Sequence, residues 1–196
     1  MNLANKLTML RVILVPVFLI FLIADGIPYG SLIATLIFIV ASLTDQLDGH
    51  IARSRNQITN FGKFMDPLAD KLLVTAALIA LVELHLIPSW AAVIIIAREF
   101  AVSGLRTVAA SEGTVIAASW WGKIKTVTQM IAILLLLFKV NIVSIQNINS
   151  TLFTGSFYNT FFNYVPTIAL YIAVIMTIVS GIDYFIKNKS AISTNK

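Results

Sequence analysis

The chain contains no cysteine, which removes disulfides, thiolate zinc sites, iron–sulfur clusters and cysteine nucleophiles together. It is equally short of charge: 12% of its 196 residues are Asp, Glu, Lys or Arg, against about 25% in an ordinary soluble domain. Only two histidines are present, His50 and His85, and neither is placed as a good metal ligand. What fills the chain instead is apolar, 58% of all residues. A globule of this length has too little interior to hide that much Leu, Ile, Val, Phe and Ala, so the excess faces lipid. Apolar segments continue to the end of the chain, and no small-x-small cleavage site with a polar mature sequence follows the first of them. That segment is therefore expected to be a retained span rather than a secretory signal.

A membrane span needs about 20 residues at a rise of about 1.5 Å each. Six segments qualify, at 7–24, 31–52, 64–83, 89–110, 120–139 and 166–186. Pro28, Pro88 and Pro166 fall just before or at the start of the second, fourth and sixth, where a missing N–H costs nothing. Residues 140–163 carry Asn141, Gln146, Asn147, Asn149, Asn159 and Asn163 without one charge, and read as a polar loop. Within it, Asn149-Ser150-Thr151 matches a glycosylation acceptor by chance. With alternating spans, thirteen of the 14 Lys and Arg residues lie on or toward one side and only Lys139 toward the other. The positive side is cytoplasmic. The expected fold is all-α: a polytopic membrane protein with six transmembrane helices in one bundle, both termini cytoplasmic, residues 1–196 forming a single domain without internal repeats. Trp90, Trp120 and Trp121 read as interfacial belt residues.

Charged groups enter the cytoplasmic halves of five of the six spans, among them Arg11, Asp45, Asp48, Asp66, Asp70, Lys71, Arg98, Glu99, Arg106 and Lys125. Ionisable groups at membrane depth are expensive and normally face a bundle interior or a wet cavity; the competing account is snorkelling Lys and Arg with paired Asp near the interface. Asp45 and Asp48 are three positions apart and Asp66 and Asp70 four, so on helices each pair shares a face. Four clustered carboxylates either hold a proton among them or bind a cation. Hard oxygen donors without soft ones point to Mg²⁺, as one ion or two, with Mn²⁺ or Ca²⁺ as other ions of suitable chemistry. Gly49 and Ala52 leave space beside Asp48, for a ligand or for close helix packing. Pro67 leaves two starts for the third helix: Asp66 caps it, or it begins near Asn60 and runs through the proline.

Read together, Asp45-x-x-Asp48-Gly49-x-x-Ala52-Arg53, eight residues, then Gly62-x-x-x-Asp66-x-x-x-Asp70 resembles the signature of the CDP-alcohol phosphotransferase family. Those membrane enzymes move a phospho-group from a CDP-linked donor to an alcohol. The resemblance implies a six-helix, usually dimeric fold with a divalent-metal site at the cytoplasmic face. By motif position it implies that Asp45, Asp48, Asp66 and Asp70 hold the metal, that Asp70 also serves as general base, and that Asp48, Gly49, Ala52 and Arg53 receive CDP, with Thr8 at the entry of the first span as a further CDP contact. The segments Asn2-Leu3-x-Asn5-x-Leu7-Thr8-x-x-Arg11, Ala97-Arg98-Glu99-Phe100, Gly104-Leu105-Arg106 and Ser119-Trp120-Trp121-Gly122-Lys123-Ile124-Lys125 are similar to a bacterial branch of the family. That branch transfers the phosphatidyl group of CDP-diacylglycerol to sn-glycerol 3-phosphate with release of CMP. A phosphorylated acceptor requires cations, and Arg98, Arg106, Lys123 and Lys125 are the candidates. Positive-inside topology is the other account of Arg106, Lys123 and Lys125, and a structural pair with Glu99 the other account of Arg98. Thr8 and Arg11 serve either a substrate phosphate or anchoring to anionic headgroups.

Expected partners are CDP-diacylglycerol, sn-glycerol 3-phosphate, membrane lipid and a second copy of the chain in a bacterial cytoplasmic membrane, the site facing the cytoplasm; no nucleic acid is expected. The same signature also serves enzymes with other acceptors, phosphatidylglycerol or inositol phosphate. A cation transporter would place its carboxylates near the bilayer midplane, whereas these cluster toward one face. Gln46 and the long uncharged stretch 140–163 depart from the family pattern without touching a motif position.

Overall fold

The computed structural model describes residues 3–24, 26–54, 60–111, 116–117, 119–148 and 156–188, and the side chains among these except at 3–5, 45–54, 60–64, 66–67, 70, 111, 146–148 and 156–159. Every regular element among the described residues is helical: α1 (Leu3–Ile23), α2 (Gly30–Ser54), α3 (Asn60–Glu83), α4 (Ser89–Ser111), α5 (Trp120–Ile148) and α6 (Ser156–Lys187). Three stretches within them are long and apolar enough to cross a membrane unaided, Lys6–Ile23, Trp120–Ile145 and Thr160–Lys187. A further, shorter apolar stretch among the described residues is Gly30–Thr44 of α2. The outward faces agree with a membrane protein: Ile13, Ile20, Ile79, Val93, Val127, Ile175 and Ile186 are each more than half exposed, an arrangement water would penalise and lipid does not.

The third helix begins at Asn60, so Asp66 lies inside it rather than capping it. The last two helices correct the expected boundaries. Instead of a polar loop over 140–163, α5 runs on to Ile148 and α6 already starts at Ser156. Asn and Gln cost a helix only a few tenths of a kcal/mol, and Val140, Val143 and Ile148 with Ile142 and Ile145 between them keep the helical apolar spacing going. Asn141 is buried and donates from Nδ2 to Thr35 Oγ1 at 3.0 Å. Thr35 in turn donates to the Ser31 carbonyl at 2.8 Å. Pro166 consequently lies inside α6 and not at its start. A proline there removes one backbone bond, and the neighbouring Thr167 turns its hydroxyl back to the Asn163 carbonyl at 3.3 Å.

The chain forms two compact units, Met1–His85 with Leu137–Gly155, and Leu86–Leu136 with Ser156–Lys196. In the first, α1 packs on α2 and α3. Its buried stripe Thr8, Arg11, Val15, Phe18 and Leu22 follows the three-and-four spacing of one helix face. Ala34 and Ala41 on α2 and Ala69, Ala76, Ala77 and Ala80 on α3 are buried, and small side chains of this kind let helices approach closely where lipid offers no hydrophobic drive. Phe18 and Phe38 fill the space between α1 and α2 with ring centroids 5.8 Å apart.

The turn between α1 and α2 is tight. Gly26 takes φ +84° and Tyr29 φ 59°, and Gly30 opens α2 so close to α1 that an added Cβ would stand 2.6 Å from the Phe21 carbonyl oxygen. At the end of α3, His85 adopts φ 56° and donates its N–H to the Val82 carbonyl at 3.0 Å, closing the helix. In the second unit α4 packs on α6. Contacts at Trp90 with Tyr171, Arg98 with Ser180 and Arg106 with Tyr184 rise together along both helices, so the two run in the same direction.

Gly30→Val is expected to lower stability by about 1–3 kcal/mol, the usual cost of forcing atoms into filled space, read as a lower thermal midpoint of the detergent-solubilised protein. Gly104→Ala, whose Cβ meets nothing within 4 Å, should leave that midpoint unchanged or slightly raised.

Candidate functional site

In the second unit, helix α5 is opened by Ser119, whose Oγ accepts from the Gly122 N–H at 3.1 Å as an N-cap. Gly122 matters for what lies beside it: a Cβ there would stand 3.7 Å from Arg98 Nη2 and 3.9 Å from Ser180 Oγ. The first turn of α5 thus sits against the guanidinium of α4 and the hydroxyl of α6. Arg98 Nη2 donates to Ser180 Oγ at 2.5 Å, and the stem of Arg98 lies along Gly181, whose added Cβ would be 3.4 Å from Arg98 Cγ.

Glu99 joins two of the expected cations. Its Oε1 accepts from Lys125 Nζ in a short contact, and its Oε2 stands 3.8 Å from Arg98 Nη1. Lys125 is fully buried, Arg98 13% exposed and Glu99 25% exposed at the side chain. One carboxylate between two cations leaves a net positive cluster. The Nε of Arg98 is buried without a hydrogen-bond acceptor, so the cluster retains unused donor capacity. Arg98 also lines an apolar groove of about 490 Å³ between α4 and α6, with Ala97, Ala101, Thr177 and Gly181.

The other two expected cations have different surroundings. Arg106 is exposed; its Nε donates to Tyr184 Oη at 3.2 Å, and its guanidinium carbon lies 5.6 Å from the Tyr184 ring centroid. Lys123, also exposed, has Nζ 6.0 Å from the Trp120 ring centroid. Among the described residues no carboxylate meets either of them. The structure therefore brings Arg98 and Lys125 together on Glu99, while Arg106 and Lys123 stand on aromatic rings.

The acidic motif is placed by its helices: positions 45, 48, 49, 52 and 53 lie in α2 and positions 66 and 70 in α3. The side chains of Asp45, Asp48, Gly49, Ala52, Arg53, Asp66 and Asp70 lie outside the described ones. Among the described residues no group of three or more His, Cys, Asp or Glu side chains gathers. Thr8 and Arg11 are buried on the inner face of α1.

Ser180 and Tyr184 are the residues that sequence reasoning passed over. Both lie in an apolar helix, but Thr177, Ser180, Gly181 and Tyr184 are all buried at i, i+3, i+4 and i+7. A polar and small stripe at that spacing inside a span was the available signal.

A membrane protein with an acidic motif divided over two helices, and with cations clustered on two others, belongs to a definite class. The chain is a member of the CDP-alcohol phosphatidyltransferase family, whose sequence profile matches residues 1–186. It is similar to a Bacillus subtilis protein named CDP-diacylglycerol–glycerol-3-phosphate 3-phosphatidyltransferase, 45% identical over 205 aligned positions covering 99% of this chain and 98% of that protein. A Haemophilus influenzae protein of the same name is 41% identical, covering 99% and 97%. A Mycobacterium tuberculosis protein named probable phosphatidylglycerophosphate synthase is 37% identical over 93% of this chain and 79% of its own length.

Glu99→Gln removes the carboxylate that Lys125 and Arg98 share. We expect a stability loss of up to about 3 kcal/mol, at the low end for a buried pair because Glu99 is a quarter exposed. Thermal unfolding should show Glu99→Gln with Lys125→Met losing less than Glu99→Gln alone.

Proposed function

We propose that the protein transfers the phosphatidyl group of CDP-diacylglycerol to sn-glycerol 3-phosphate, forming phosphatidylglycerophosphate and CMP on the way to phosphatidylglycerol. The observation that carries this reading is the match, over nearly the whole length of both chains, to relatives named for this reaction. The cationic cluster supports it. A phosphorylated acceptor calls for fixed positive groups, and Arg98 and Lys125 are held around Glu99 at the first turns of α5, where a helix N-terminus adds its own partial positive charge.

We place all six helices across a bacterial cytoplasmic membrane as one domain, both termini and the reacting groups on the cytoplasmic side, and the protein acting as a homodimer. The lopsided distribution of Lys and Arg favours this orientation. The shared direction of α4 and α6, with a single helix between them in sequence, is what alternating passage requires.

The donor set of the acidic motif fits a hard divalent ion: four carboxylates on two helices, no thiolate in the chain and no histidine at a ligand position. Asp45, Asp48, Asp66 and Asp70 would hold Mg²⁺, one ion or two, with Mn²⁺ as a substitute. When bound, such an ion neutralises the diphosphate and eases departure of CMP.

In our reading the remaining work falls to the chain's own groups. Gly49, Ala52 and Arg53, with Thr8 from α1, receive the CDP part of the donor. Of the four cations expected to serve the acceptor phosphate, the exposed Arg106 and Lys123 contact it, Arg106 through a two-pronged fork and Lys123 as a point charge, while Arg98 and Lys125, held on Glu99, add a fixed positive potential. Asp70 takes the proton from the attacking hydroxyl as its oxygen bonds to the phosphatidyl phosphorus, and the bond from that phosphorus to the CMP oxygen breaks. Lipid on one side and buried side chains on the other limit access of water, which would otherwise compete with the acceptor.

Purified protein given labelled CDP-diacylglycerol should release CMP with sn-glycerol 3-phosphate and not with phosphatidylglycerol or inositol phosphate, and EDTA should abolish release until Mg²⁺ is restored. CMP release with another acceptor alone would overturn the assignment. Asp70→Asn should reduce turnover by at least about 100-fold, the scale of a lost general base, while CDP-diacylglycerol binding stays within about threefold of wild type. Turnover near wild type would remove Asp70 from the role of base.

A further inference from the structure

Tyr184 is 1% exposed, yet its hydroxyl lies in a helix whose neighbouring positions are Phe185, Ile182 and Ile186. Packing alone would be served as well by phenylalanine. A buried phenol must find a hydrogen-bond partner, and here the partner is the Nε–H of Arg106, 3.2 Å away, while the guanidinium carbon stands 5.6 Å from the centroid of the same ring. The ring is braced by Phe185, edge-on with centroids 6.5 Å apart. The adjacent carboxylate of Asp183 is tied to Lys187 at 2.7 Å.

Arginine carries five N–H donors in one plane. With Nε committed to Tyr184, the four Nη hydrogens of this exposed side chain meet no acceptor among the described residues. A long flexible cation would lose much rotamer freedom on clamping a phosphate; the hydrogen bond and the ring contact remove part of that freedom beforehand.

We propose that Tyr184 is a positioning residue that selects for a phosphorylated acceptor by fixing the guanidinium of Arg106 so that its Nη donors face an incoming phosphate. The proposal rests on the reading that Arg106 binds the acceptor phosphate. It deepens that reading by assigning the orientation of the arginine to a residue on another helix that touches no substrate itself.

The test is steady-state kinetics on the full-length protein in mixed micelles, varying sn-glycerol 3-phosphate and CDP-diacylglycerol separately, for wild type, Arg106→Ala, Tyr184→Phe and the double variant. Tyr184→Phe keeps the ring, the burial and the cation–π contact and deletes one hydrogen bond. It should raise the acceptor KM about fivefold, leave the donor KM within about twofold and keep the thermal midpoint near wild type. Arg106→Ala should raise the acceptor KM further, and the double variant should be no worse than Arg106→Ala alone, since both changes remove one unit.

If Arg106→Ala raises the acceptor KM and Tyr184→Phe does not, the role of Tyr184 is refuted while that of Arg106 stands. If Tyr184→Phe weakens both substrates equally and lowers the thermal midpoint, the phenol is merely structural and the proposal falls. If Arg106→Ala leaves the acceptor KM unchanged, the assignment of Arg106 and the proposal built on it fall together.

Discussion

The constraint on which the structure depends is that a chain whose outer faces are Ile, Leu and Val must satisfy its own charges. Lys125, with no exposed surface, is held as an ion by Glu99, and Glu99 by its second oxygen also faces Arg98. A buried ammonium without a nearby carboxylate would carry an uncompensated desolvation cost. Three charged side chains from α4 and α5 therefore act as a unit, with Ser180 of α6 accepting from Nη2 of the arginine. The arrangement need not be the most stable filling of that space, because apolar residues of equal volume often do as well. Its presence in an otherwise apolar environment agrees with the anion-binding role proposed for this cluster.

Helix existence was legible from composition and spacing, and four of the six helices begin and end within about four residues of expectation. The end of α5 and the start of α6 were not. A run of asparagines without charge resembles a loop by polarity, yet one such residue, Asn141, is buried and bonded to Thr35. Side-chain polarity reports on the solvent a residue prefers, whereas a helix needs only that the backbone bonds continue and that each buried amide finds a partner. The acidic motif was legible because its aspartates lie three and four positions apart on single helices. The Glu99–Lys125 pair was hidden for the opposite reason. Its members are 26 positions apart on different helices; Lys125 taken singly satisfies the positive-inside rule, and Glu99 has a nearer apparent partner in Arg98.

Tyr184 and Ser180 show the same limit from the other side. In an apolar span a tyrosine ordinarily reads as core or as an interfacial anchor, and nothing local distinguishes one that accepts a bond from a distant arginine. The distinction came from burial combined with partner. Arg98 and Arg106, both expected to hold phosphate, also separate on this ground: one lies beside a carboxylate and bonds a hydroxyl, the other is exposed on a ring.

That separation bears on how a single site can favour a doubly charged acceptor. A cation already neutralised by an acid attracts an arriving phosphate less, since any new contact is partly offset by weakening the old one. Arg106, resting on a π-face and a neutral phenol, keeps its charge uncompensated by any described carboxylate. The attraction of a quadrupole for a cation is worth about 0.5–1 kcal/mol at exposed sites, enough to bias its orientation and too little to quench its field. A buried, carboxylate-held pair would then supply a fixed background potential, while the ring-mounted arginine supplies the groups free to form directional bonds. Neutral alcohols would gain little from either, so on the proposed function a preference for a phosphorylated acceptor would follow from the partners of these cations and not merely from their number.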